Sequence, residues 1–157
     1  MVNLRTMAHP VLMASILLTT DLSEESQRAF GPARELATRL DATITLVAVL
    51  EDLPFEPAGG GMIAAYPDRE QIRKDWIAEV DKLADKLGRD VCTQAVVIDA
   101  VDVPKAIVDR AAADKAIYIC MATHGRSGLR RLLLGSVAEV VIRHSTVPVI
   151  VYPPPAH

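Results

Sequence analysis

The sequence predicts a three-layer α/β fold, a parallel sheet of five short strands with helices on both faces. Three observations carry that prediction. Along the 157 residues, short apolar runs rich in β-branched residues alternate with longer amphipathic segments of helical period. The runs are mainly apolar and too short for helices, and they read as strands mostly buried on both faces. The intervening segments are long enough for right-handed crossovers, which place helices on both faces of one sheet.

The first strand is "ASILLTT", Ala14 to Thr20. A helix follows with Ser23 as its cap and Glu24 and Glu25 in its first turn, where carboxylates favour the positive end of the helix dipole. Gly31-Pro32 bends or restarts it. The second strand is "ATITLVAVL", Ala42 to Leu50. After it, Glu51 to Asp68 holds Pro and Gly clusters and reads as a long loop over one end of the sheet, either a lid or a plain connection. The second helix opens on Asp68 and Gln71, spaced as a capping box. Ile72, Trp76, Val80, Leu83 and Leu87 share one face, and Gly88 ends it.

"VCTQAVVI", Val91 to Ile98, is the third strand, and Asp102 caps the third helix with Pro104 tolerated in its first turn. The fourth strand is "AIYICMA", Ala116 to Ala122. Ser136 and Glu139 read as a capping box for the fourth helix, with Val137, Val140, Val141 and His144 as its stripe. "VPVIVY", Val147 to Tyr152, completes the sheet. Residues 1–13 read as an N-terminal extension, 14–153 as a single domain and 154–157 as a C-terminal tail.

Composition narrows the function classes. Half the residues are hydrophobic but only 4% are aromatic, so the core is aliphatic. A net charge of −3 gives no general attraction to nucleic acid or to anionic membranes. No apolar run approaches the roughly twenty residues that span a bilayer. Cys92 and Cys120 fall in separate strands and read as unpaired small hydrophobes, which points to a cytoplasmic setting.

The chemistry concentrates in "MATHGRSGLRRLLLGS", Met121 to Ser136. Gly125 and Gly128 allow positive φ and close approach, successive amides there form an anion nest, and Gly135-Ser136 leads into a helix N-terminus. A polyphosphate fits this arrangement. Arg126, Arg130 and Arg131 add charge, or face water on a short helical turn. In an open parallel sheet the ligand crevice lies beyond the carboxyl ends of the strands where their order reverses, so "TTDLS", Thr19 to Ser23, is its other candidate edge.

These residues resemble the nucleotide-binding branch of the universal stress protein family. That branch carries G-x-x-G, nine residues, then G-[ST]. Here the frame falls on Ala122, Thr123, His124 and Gly125, nine residues to Leu134, then Gly135-Ser136, with alanine for the first glycine. "ILLTTDLSEES" resembles the family's opening strand and turn, with Thr19 and Leu22 in place of its usual Pro and Gly, and Val101 stands where a Gly before the third helix is common. The likeness runs from Ala14 to Tyr152.

The resemblance implies a Rossmann-like sheet (adenine nucleotide alpha hydrolase-like) in the order 3-2-1-4-5, a homodimer formed through the C-terminal strand, and ATP bound with Mg²⁺. It implies a nucleotide-binding set of Thr20, Asp21, Ala48, Met121, Ala122, His124, Gly125, Arg126, Gly128, Gly135, Ser136 and Val137. Asp21 falls on the ribose or adenine side, the backbone of Ala48 at the adenine, and Gly125, Arg126, Gly128, Gly135 and Ser136 around the phosphates. A methyl at Ala122 fits an ordinary β or α backbone and crowds the phosphates at positive φ. The implied order sets the strands of Cys92 and Cys120 three places apart, about 14 Å, which excludes a disulfide within the chain.

No GxxxxGK[ST] loop, G-x-S-x-G elbow or carboxylate cluster is present. His124 reads as a loop hydrogen-bonder or as an acid or acceptor in phosphoryl transfer. No residue is assigned a catalytic or metal-ligating role. The reading is a cytoplasmic ATP-binding regulatory module with an unidentified protein partner. Its alternatives are a nucleotide-free dimer acting by protein contacts, and a weak ATPase or self-phosphorylating enzyme.

Overall fold

Five parallel strands in the order β3-β2-β1-β4-β5 form the sheet of the protein, a computed structural model that describes residues 13–52, 68–123 and 134–154. The elements are β1 (Ser15–Thr20), a 3₁₀ turn (Ser26–Ala29), α1 (Phe30–Leu40), β2 (Thr43–Glu51), α2 (Arg69–Leu87), β3 (Cys92–Ala100), α3 (Val103–Ala113), β4 (Tyr118–Ala122), α4 (Ser136–His144) and β5 (Val149–Tyr152). The register places Leu18 between Leu46 of β2 and Cys120 of β4. The expected fold class and strand order are therefore those of the structure.

Side chains that alternate along each strand divide the core into two layers. Ile16, Leu18, Ile44 and Leu46 pack under Phe30, Ala33 and Ala37 of α1 and Val80, Leu83 and Leu87 of α2. Leu17, Val47, Ile119 and Met121 pack on the other face under Ile107 and Ala111 of α3 and Ala138 and Val141 of α4. The central β1 is almost wholly buried, whereas the edge strands β3 and β5 are mostly half-exposed. Burial on both faces thus fails at the two edges, where a neighbouring strand is missing.

The helix ends show how local chemistry departs from simple spacing. Ser23 does not cap α1: its hydroxyl accepts from the Ser26 amide at 3.2 Å, ahead of a 3₁₀ turn whose N-cap, Glu25, makes no side-chain cap bond. The helix then restarts at Phe30 with Pro32 inside its first turn, where a missing N–H costs no helical bond. Asp68 accepts from the Glu70 and Gln71 backbone amides at 3.0 and 3.3 Å, but the Gln71 side chain donates its Nε2 to Asp75 at 2.8 Å, so the box is one-sided. Gly88 ends α2 at φ +104°, a conformation that favours glycine.

In α4 the expected capping box does not form. Gly135 is the N-cap, Ser136 is already helical, and the Glu139 carboxylate pairs with Arg143 at 2.6 Å. The stripe is rotated as well: Ala138 and Val141 are buried, while Val140 and His144 are exposed. Of the stretch 51–68, Glu51 ends β2, Asp52 pairs with Arg69 at 3.0 Å and Asp68 caps α2, while 53–67 lie outside the described residues.

Asp102 caps α3 through the Lys105 amide at 2.9 Å. Asp102→Ala is expected to cost about 0.5–2 kcal/mol, read as a lower urea midpoint with an unchanged denaturant slope. Cys92 and Cys120 are buried and free, and burial pushes both thiols up from their ordinary range. Both are therefore expected to resist a disulfide-exchange reagent at neutral pH in the folded chain and to react promptly in denaturant; fast labelling without denaturant would contradict their placement.

Candidate nucleotide-binding crevice

From β1 the chain moves to β2 on one side, and from β4 to β5 on the other, so the strand order reverses between these neighbours. A crevice opens there at their carboxyl ends, as expected for a topological switch point. Its volume is about 180 Å³, below the roughly 300–1,000 Å³ of complete small-molecule sites, and residues 124–133 between two of its lining segments lie outside the described ones.

One wall is the turn after β1, with Thr20, Asp21 and Ser26. The Asp21 Oδ1 accepts from the Ser23 amide at 3.0 Å and from the Ser23 hydroxyl at 2.5 Å. The Ser26 hydroxyl donates to the Ser23 carbonyl at 2.8 Å, so its single proton is committed. Thr20 is therefore the donor in its 2.8 Å contact with Ser26, and it accepts from the Leu22 amide at 3.1 Å. These bonds hold Leu22 at φ +69°, a left-handed conformation in a residue that is not glycine.

The opposite wall is the end of β4 and the start of α4: Met121, Ala122 and Thr123, then Gly135, Ser136, Val137 and Ala138. The Gly135 amide donates to the Thr123 carbonyl at 2.8 Å, and the Thr123 amide to the Tyr152 carbonyl at 3.1 Å, which ties the cap to β4 and β5. The first helical bond of α4 runs from Glu139 to Gly135. The amides of Ser136, Val137 and Ala138 precede it, and a glycine cap offers them no side-chain acceptor. Ala122 lies in the extended backbone of β4, paired with Tyr152, so its methyl group meets no positive-φ constraint.

A third wall is apolar, formed by Val47 and Val49 of β2 with Val103 and Ile107 of α3. Among the residues the sequence singles out, Thr20, Asp21, Met121, Ala122, Gly135, Ser136 and Val137 converge on this crevice. The Ala48 side chain is fully buried in the layer under α1 and α2, while those of its neighbours Val47 and Val49 face the crevice. His124, Gly125, Arg126 and Gly128 lie outside the described residues. Ser26, Val103 and Ile107 were not anticipated; the alternation of β2 signals Val47 and Val49, but no local pattern marks the others. Among the described residues, no group of three or more His, Cys, Asp or Glu side chains is placed to hold a metal ion.

Comparisons with known proteins agree with this architecture. The model of the universal stress protein family matches residues 13–153. A universal stress protein of Methanocaldococcus jannaschii is 33% identical over 146 residues, covering 92% of this chain and 84% of that protein. A solved universal stress protein in complex with cAMP superposes with a TM-score of 0.62 at 21% identity, covering 90% of this chain and 97% of that one. The universal stress protein of Archaeoglobus fulgidus in complex with dAMP gives a TM-score of 0.59 at 22% identity, covering 88% and 96%. Those two identities show a shared fold; the family match, from the residues before β1 to the one after β5, shows more, and the chain belongs to the universal stress protein family.

Proposed function

We propose that the protein is a regulatory module that binds an adenine nucleotide, ATP with Mg²⁺, in this crevice. The observation that carries the reading is the start of α4, where a side-chain-free cap presents helix amides and the positive dipole end to a cavity at the switch point. The phosphates take the amides of Ser136 to Ala138, which no carboxylate of the described lining approaches from the same wall. Asp21, a hydrogen-bond acceptor that repels phosphate, takes the ribose hydroxyls, and the base packs on Val47, Val49, Val103 and Ile107. Mg²⁺ arrives held by the phosphates, since it needs at most one or two protein carboxylates. The cAMP and dAMP complexes of structural neighbours support an adenine nucleotide.

Regulation is supported by the hydrogen-bond line that joins the crevice to the sheet edge, from Gly135 through Thr123 to Tyr152 of β5. That edge carries half-exposed Val149, Ile150 and Val151, with Val140 and Ile142 exposed on the neighbouring α4. A second copy is the occupant we propose for it, giving a homodimer, and the free cysteines support a cytoplasmic setting. Among the described residues no helix is long and apolar enough to cross a membrane.

Calorimetric titration of nucleotide-stripped protein with ATP and Mg²⁺ tests the reading, with AMP and cyclic AMP alongside. Saturable binding at one site per chain is expected. No heat at millimolar nucleotide would leave protein contacts as the function.

A further inference from the structure

Leu22 is the one described non-glycine residue of the crevice turn held at positive φ, +69°. A leucine there forgoes the freedom of glycine, and its side chain is partly buried against the core layer under α1 and α2. Its amide is held by Thr20 at 3.1 Å, and the next residue, Ser23, is held twice by Asp21. The turn is thus fastened at three points: two polar ones on the crevice side, and an aliphatic one in the core. Leu22 itself does not line the crevice, but Thr20 and Asp21 on its N-terminal side do.

We infer that Leu22 is a positioning residue for the nucleoside end of the ligand, anchoring the turn so that the Asp21 carboxylate stands in its binding geometry before the ligand arrives. This inference rests on the nucleotide reading given above. The physical argument is preorganisation. A turn already ordered by a buried side chain loses little further freedom on binding, whereas a glycine-like turn must be ordered by the ligand itself. Strain held in a left-handed leucine persists where the surrounding contacts over-determine it, as the Thr20, Asp21 and core contacts do here. The ligand group that reads this order is a vicinal or single ribose hydroxyl, the chemistry a fixed carboxylate accepts from.

The test compares wild type, Leu22→Gly, Leu22→Asn and Leu22→Met by calorimetric titration with ATP and with 2′,3′-dideoxy-ATP, each with Mg²⁺. Gly and Asn accept the left-handed backbone but lack the aliphatic anchor; Met keeps an unbranched anchor. Leu22→Gly and Leu22→Asn are expected to bind ATP about tenfold more weakly and to lose most of the preference for ATP over the dideoxy form, while Leu22→Met retains both. A role confined to stability would shift the melting temperature and leave that preference untouched. Wild-type affinity and preference in both Gly and Asn variants would overturn the inference alone. Absence of binding to wild type would overturn the site reading, and this inference with it.

Discussion

Gly135→Asp is expected to weaken nucleotide binding about 100-fold while leaving the protein folded. The backbone at Gly135 is extended, φ −62° and ψ 151°, a conformation open to any residue. Aspartate is a favoured N-cap, and its carboxylate accepts from the amides of the first turn. Helix stability is thus unchanged or raised by a few tenths of a kcal/mol. The same carboxylate occupies the donors assigned to phosphate and sets a negative charge against it, a loss on the order of 3 kcal/mol or about 100-fold in affinity. Opposite signs in stability and binding separate a ligand site from an ordinary helix end. Circular dichroism together with calorimetry reads both, and undiminished affinity in a folded variant would remove the α4 terminus from the site.

The largest expected loss of stability is at Leu18. It is fully buried in the central strand, between Leu46 and Cys120 in register. Leu18→Ala removes three carbons from a layer clamped by α1 and α2, where the sheet cannot collapse to fill the space. A cost of about 3–5 kcal/mol follows from transfer and cavity contributions. That is a large share of the 5–15 kcal/mol typical of a domain, and lowers the melting temperature by roughly 10 °C. Ile142→Ala is the control: the side chain is 42% exposed on α4, and its loss is expected to cost under about 1 kcal/mol in the monomer. A Leu18→Ala penalty no larger than the Ile142→Ala penalty would contradict the packing described.

The strands were legible because a strand buried on both sides is dominated by apolar residues rather than alternating, and β4, "YICMA", and the centre of β1, "ILL", show that pattern without competing ones. Helix α2 was legible through the spacing of Val80, Leu83 and Leu87 and through Gly88, whose φ of +104° few other residues adopt. Strand order came with the family resemblance, since periodicity alone carries no information on which strands are neighbours. The cap of α4 was misread because Ser136 and Glu139 have the right spacing for a box, yet the tie from the Gly135 amide to Thr123 moves the helix start by one residue. The buried stripe differs as well, with Ala138 rather than Val140 packed beneath α4. On a pleated strand neighbouring side chains point to opposite faces, so those of Val47 and Val49 reach the crevice and that of Ala48 does not. Ser26 and Ile107 lay beyond sequence reasoning because only the fold brings them to the strand ends.

The central claim is that a nucleotide sits between the Asp21 turn and the start of α4. Amide chemical-shift mapping of the ¹⁵N-labelled protein during addition of ATP and Mg²⁺ tests it most directly. The account predicts saturable shifts concentrated at Thr20, Asp21 and Ser136 to Ala138, with the outer face of α2 near Lys82 and Lys86 silent. Saturable shifts confined to α2, or none at millimolar ATP, would contradict it.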